Sequence, residues 1–284
     1  MDPRVREVEF FANADDSELM VEVFAQEESA QGKTQIPRFA RNDKGRGARN
    51  DERMSDRNDN RRNNNEDWAE NLRKAIPNAV GVAVFPCEMR STESKAEGSP
   101  IASAGTGELI YKTTQSSYRV SAGAFFQVNR FLTDELISVV TKGRSGRTAL
   151  ELYAGVGLFS AVLSREFERV IAVESSQQSV ADLAYNVPGN VKPVRATVEE
   201  YLKNSHPKAD LVVVDPPRGG LGERVSRSVA ELAAPAVTYV SCDPATLARD
   251  LVVLLSAGYR VEQAHLVDLF PQTFHLETVL HLTR

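Results

Sequence analysis

The chain has 284 residues, enough at about 150 residues per domain for two domains or one large one. Its apolar share of 42% excludes a wholly disordered chain. Lys+Arg 34 against Asp+Glu 39 leaves a net charge of -5, so no whole-chain basic field advertises a nucleic-acid partner, and any such contact has to come from a local patch. The 2 cysteines (Cys87, Cys242) and 4 histidines (His206, His265, His275, His281) are too few and too scattered for a structural metal site or an iron–sulfur cluster. The start MDPRVREVEF lacks the basic and apolar regions of a secretory signal, and no run approaches the roughly 18 apolar residues of a membrane span. These readings lead to the expectation of a cytoplasmic protein with reduced thiols and no membrane or metal partner.

In chain order, Glu18 to Phe24 partly alternates apolar and polar residues, as a strand of a small sheet does. The composition then changes abruptly. Residues 31–66 hold 10 Lys/Arg, 6 Asp/Glu and 7 Asn with few apolar side chains, too little buried surface to offset ordering entropy. Arg-Asn-Asp recurs there at Arg41, Arg49 and Arg57, a spacing of eight residues that matches no helix or strand period. This segment reads as a disordered, basic, Asn-rich low-complexity insertion, with a flexible RNA-binding arm as the alternative. A helix is expected over Asp67 to Ile76 and a strand over Val80 to Phe85, so 1–30 and 67–116 make up one small α+β subdomain split by the insertion. Ser91 to Gly107, rich in Ser, Gly and Ala, reads as a loop, with Cys87 an incidental thiol at its edge.

From Thr148 onward strands and helices alternate. Strands are expected at Ala149–Tyr153, Val170–Glu174, Val191–Ala196, Leu211–Asp215 and Val237–Cys242. Helices are expected near Leu158–Glu166, Gln177–Asn186, Val198–Lys203, Arg224–Ala233 and Ala245–Ser256. This is the pattern of an α/β, Rossmann-like, mostly parallel sheet covered on both faces, and Arg260–Asp268 with Thr278–Leu282 fits an antiparallel edge pair. In such a sheet ligands bind beyond the carboxyl ends of the strands.

Four constellations lie at those ends. Glu151-Leu-Tyr153-Ala-Gly155-Val-Gly157-Leu-Phe-Ser160 turns a strand into a helix through two glycines, which serves a tight turn as readily as a ligand. Glu174 ends the next strand 19 residues after Gly155, the placement that catches ribose hydroxyls. The pair indicates an adenosine-containing cofactor. With Ser160 where a dinucleotide fingerprint has its third glycine, S-adenosyl-L-methionine suits the site better. Asp215-Pro-Pro-Arg218 delivers a carboxylate rigidly to the cleft. Cys242 ends a strand just before a helix opened by Asp243 and Pro244, where the positive helix end favours a thiolate nucleophile; a buried strand-end thiol is the other reading.

With Phe125-Phe126-Gln127-Val-Asn129 and Asp268-Leu-Phe-Pro271-Gln-Thr-Phe-His275-Leu-Glu277-Thr278, these motifs together resemble the RNA uracil-C5 methyltransferases over 117–284. The resemblance implies a class I, S-adenosylmethionine-dependent catalytic domain making 5-methyluridine in 23S ribosomal or transfer RNA. It makes Cys242 the nucleophile and Glu277 the general base, with Gln127, Tyr153, Gly155, Gly157, Glu174 and Asp215 around cofactor and base. His275 is a possible proton shuttle, and Phe125 and Phe126 are either stacking surface or core. The family's N-terminal TRAM domain and four cluster cysteines find no counterpart. Thr197 stands where class I enzymes often place Asp or Asn for the adenine. The expectation is a monomer acting on RNA. A class I methyltransferase on another substrate, or a non-catalytic RNA-binding remnant, is the alternative.

Overall fold

The computed structural model describes residues 5–26, 65–87, 99–127, 129–273 and 276–284. Nearly all of the insertion, with its Arg-Asn-Asp repeats, and His275 lie outside them.

Strand β1 (Val5–Ala12) pairs antiparallel with β2 (Leu19–Ala25). Helix α1 (65–75) then carries the chain to β3 (Ala79–Pro86), parallel to β2, as a parallel pair needs a crossover. Trp68, Ala69 and Leu72 of α1 pack on Val21, Val23, Val82 and Val84. A fourth strand, β4 (Ala102–Gly105), pairs antiparallel with β3 inside the stretch expected to be loop. The composition that reads as loop is what lets this strand pair. A Cβ on Gly81 would collide with the Thr106 carbonyl, and Gly105 holds φ +72 against the Val80 carbonyl.

The hairpin of β5 (Glu108–Lys112) and β6 (Ser117–Ser121) spans residues 116 and 117. The larger sheet follows, built from β7 (Gly146–Leu152), β8 (Phe167–Glu174), β9 (Val191–Arg195), β10 (Leu211–Val214), β11 (Ala236–Ser241), β12 (Arg260–Val267) and β13 (Glu277–Thr283), in the order β12-β13-β11-β10-β7-β8-β9. β7 to β11 are mutually parallel, and β13 runs antiparallel between β11 and the edge strand β12. The apolar faces of the strands bury two cores. One takes α2 (Thr133–Thr141), α3 (Ser160–Leu163) and α4 (Gln177–Asn186) through Leu136, Val162 and Leu183. The other takes α5 (Val198–Asn204), α6 (Gly222–Glu231) and α7 (Pro244–Ser256) through Leu202, Val229 and Leu254. This is a Rossmann-like α/β fold. After β9 the chain crosses to β10 on the far side of β7, so a switch point opens between the carboxyl ends of β7 and β10. α3 is shorter than the expected helix. Arg165 and Glu166 donate to carbonyls three residues back, Val162 and Leu163, a tightened turn that hands the chain directly to β8.

Candidate active site

At the end of β7 the backbone turns through left-handed conformations at Tyr153 (φ 63), Gly155 (φ 54) and Gly157 (φ 93). For Tyr153 this costs on the order of 1 kcal/mol, strain of the kind concentrated at functional sites. The two glycines differ in what surrounds them. A Cβ on Gly157 would approach Leu183 Cδ1 to 2.6 Å and Val187 Cγ1 to 3.1 Å, whereas one on Gly155 would meet nothing within 4 Å. Gly157 therefore lets α4 close onto the loop, and Gly155 leaves its upper side open. Glu174 joins them as the spacing implies. Its Oε2 accepts the Gly155 N–H at 2.9 Å, and its Oε1 accepts the N–H groups of Ser175 and Ser176 at 2.8 Å each.

Several supports of this loop carry no local sequence signature. Asn186 Nδ2 donates to the carbonyls of Arg119 and Val156, and its Oδ1 accepts the Arg119 N–H. Fully buried Asp182 accepts from Arg119 Nε, Ser121 N–H and Ser121 Oγ, and Tyr118 Oη donates to the Leu158 carbonyl at 2.9 Å. Together they tie β6 to the glycine loop. Beneath it Glu151 is buried, takes a hydrogen bond from Ser160 Oγ, and is pushed up to about 8 by burial.

The second half of the site sits one and two strands away. The Asp215 N–H donates to the Leu152 carbonyl at 3.4 Å, setting Asp215 level with Tyr153. Ser241 pairs with Thr278 across β11 and β13, which brings Cys242 opposite Glu277 although 35 residues of chain separate them. Burial lifts Glu277 to about 7. Asp215 is raised well above the usual carboxylate range, first by burial and then by the charges of Glu277 and Glu151.

Cys242 corrects the sequence expectation. Burial, then Glu277 and Asp215, push its thiol up to about 11 against the opposing pull of Arg218. The helix end is already spent: Asp243 caps α7 by accepting the N–H groups of Ala245 and Thr246 at 2.9 Å each. Burial and two nearby carboxylates outweigh a capped helix dipole, and the sulfur rests as a thiol. Fully buried Asp250, on the same helix, accepts from Tyr239 Oη (2.7 Å), Leu221 N–H (2.7 Å) and Gly222 N–H (3.1 Å). It anchors the loop that follows Asp215, a role its sequence context does not announce.

Gln127 is buried, and Asn129 Nδ2 donates to the Leu269 carbonyl at 2.9 Å, joining the 125–129 motif to the segment that precedes Glu277. The adjacent phenylalanines separate. Phe126 is buried at 4% exposure among Phe11, Tyr111 and Tyr118, while Phe125 is 52% exposed. Thr197 caps α5 by accepting the Glu200 N–H at 3.2 Å, so its hydroxyl is engaged in the helix start. Neither cysteine is in a disulfide, and no helix among the described residues is long and apolar enough to cross a membrane.

An uncharacterized RNA methyltransferase of Thermotoga maritima is 38% identical over 187 residues, covering 63% of this chain and 43% of its own length. One of Streptomyces coelicolor is 39% identical over 172 residues, 57% and 38% of the two chains. The chain thus spans about two fifths of the length of these curated relatives. The Pyrococcus abyssi tRNA (uracil-54, C5)-methyltransferase, solved in complex with S-adenosyl-L-homocysteine, superposes with a TM-score of 0.68 at 22% identity, covering 98% of this chain and 60% of that one, a likeness of fold. The family model of the tRNA (Uracil-5-)-methyltransferases matches residues 106–284, well over half of the sequence, and the chain belongs to that family.

Proposed function

We propose that this chain methylates carbon 5 of a uridine in 23S ribosomal or transfer RNA, using S-adenosyl-L-methionine, with 117–284 as the catalytic unit and 1–30 with 67–116 as an accessory subdomain. The observation that carries the reading is the placement of Cys242 against Glu277 at the switch point, with Asp215 beside them. Carbon 5 of uracil is a poor nucleophile, and a thiol plus a base converging on one ring is what its activation needs.

The glycine loop fits the cofactor: the space over Gly155 is open, and the Glu174 carboxylate is clamped beside it by three N–H donors. Gln127, Tyr153, Gly155, Gly157, Glu174 and Asp215 would hold it there. In the first step Cys242 Sγ bonds to carbon 6 while its proton passes to the Asp215–Glu277 carboxylate pair, and the C5–C6 π electrons move toward the C4 carbonyl as an enolate. When bound, the cofactor supplies an electrophilic methyl group that carbon 5 of this enolate takes up. Glu277 then removes the C5 hydrogen as a proton; the C–H electron pair re-forms the C5–C6 double bond, and the Sγ–C6 bond breaks to release the cysteine. A uridine inside a helix has to leave its stack to reach the site, and half-exposed Phe125 offers a stacking face there.

The test is incubation with 5-fluorouridine-containing ribosomal and transfer RNA plus S-adenosylmethionine. Fluorine cannot leave as a proton, so the expected result is a denaturation-resistant RNA adduct in the wild type that Cys242→Ala lacks, mapped to one uridine. Cofactor binding by calorimetry without any adduct would overturn the uracil mechanism and favour another methyl acceptor.

A further inference from the structure

A broad concavity among the described residues lies away from the switch point. It is an open groove of about 700 Å³ at the β9 edge of the large sheet, between β8, β9 and the end of α5. Arg169, Lys192, Arg195 and His206 line it with Tyr201, and no carboxylate does. Lys192 pairs with Ile171 on the face that Arg169 also shares, and Arg195 ends β9 directly opposite Glu174. Among the described residues Arg169, Lys192 and Arg195 make no ion pair, although exposed arginines elsewhere do so with Glu223 and Glu168. Three exposed cations without an ion pair on one groove of a chain with net charge -5 repel one another, an arrangement that a polyanion would neutralise.

We propose that this groove binds the phosphate backbone of the RNA whose base enters the Cys242 site, as a track leading away from the cofactor loop. From the level of Arg195 and Glu174 to that of Arg169 the strands run about 17 Å. That length covers several phosphates of a strand carrying one charge per roughly 3.4 Å of duplex axis. The groove is open along its length, as a continuous strand requires, and the Tyr201 ring and His206 offer a stacking face and a hydrogen-bonding edge. The inference rests on the RNA reading above, but its measurement does not depend on uracil chemistry.

The full chain is titrated with a fluorescein-labelled oligouridylate over a range of KCl concentrations, as wild type, as R169Q/K192Q/R195Q, and as K112Q/K142Q/R260Q. The last variant removes the same charge from exposed positions elsewhere. Counterion release predicts that losing three phosphate contacts weakens binding roughly 50-fold at 0.15 M salt and makes the log–log salt slope shallower by about 2. The control variant changes affinity by no more than about twofold, since none of its charges lines the groove. Equal behaviour of the two variants overturns the proposal. So does inorganic triphosphate binding at the groove more tightly than the oligonucleotide, which would make it a free-anion site. A 5-fluorouridine adduct in the wild type with unchanged RNA affinity in the groove variant sinks the groove alone. Loss of RNA affinity in the groove variant without any adduct in the wild type sustains the groove and sinks the uracil mechanism.

Discussion

Cys242 faces Glu277 because β11 and β13 are antiparallel and Ser241 pairs with Thr278, so the residue after one strand end and the residue opening the other share a level. On the proposed mechanism the two side chains have separable tasks. Cys242→Ala is expected to abolish the adduct and lower turnover on the order of 10⁴-fold, as loss of a nucleophile does. Glu277→Gln is expected to form the bond to carbon 6 but not to release it, so that methylated adduct accumulates on ordinary uridine RNA. Denaturing gels of both variants with RNA and cofactor check this; a Glu277→Gln protein that turns over at the wild-type rate would remove Glu277 from the mechanism.

Glu277 has a folded value near 7 against an ordinary 4.5, because burial disfavours its charge. The folded carboxyl therefore binds a proton that the unfolded one has lost between those values, so its contribution to stability declines as pH rises from 4.5 through 7. Glu277→Gln should accordingly stabilise the protein by ~1–3 kcal/mol at pH 8 and by little near pH 4, measured by denaturant unfolding at both. On the proposed mechanism the same ionisation governs the rate: kcat/KM should climb as pH rises through about 7, where the base becomes free, and continue to climb toward about 11 as the Cys242 thiol ionises.

Asp250 gathers four donors from Tyr239, Leu221, Gly222 and Arg249 at full burial. Asp250→Ala leaves buried donors without a partner and should cost ~3–5 kcal/mol, with Asp250→Asn costing less. Urea unfolding reads the loss. Since the loop it anchors begins at Asp215, cofactor affinity should drop in the same variants.

The two glycines of the turn should fail differently. Gly157→Ala drives a methyl into Leu183 and Val187 at an unfavourable φ of +93, and should destabilise by roughly 2–3 kcal/mol. Gly155→Ala meets open space at φ +54, with about 1 kcal/mol of backbone strain, and should lose cofactor affinity out of proportion to stability. Thermal unfolding beside calorimetry with S-adenosylmethionine separates the two.

The sequence by itself determined what depends on near neighbours in the chain. The alternation of apolar strands and amphipathic helices, the cap that Asp243 places on α7, and the delivery of Asp215, Glu174 and Cys242 to strand ends follow from local periodicity and capping chemistry, and the elements appear where that chemistry puts them. Tertiary structure decided whatever depends on which surfaces meet. β4 hides in a Ser/Ala/Gly stretch because its close approach to β3 needs small residues. Phe125 and Phe126, identical and adjacent, take opposite fates because only one points at Phe11 and Tyr111. Asp182, Asn186 and Asp250 become anchors only once distant strands present donors to them. The state of Cys242 was decided in the same way. A helix start alone favours the thiolate, but folding buries the sulfur, and burial first, then Glu277 and Asp215, hold it as a thiol against a dipole already capped by Asp243.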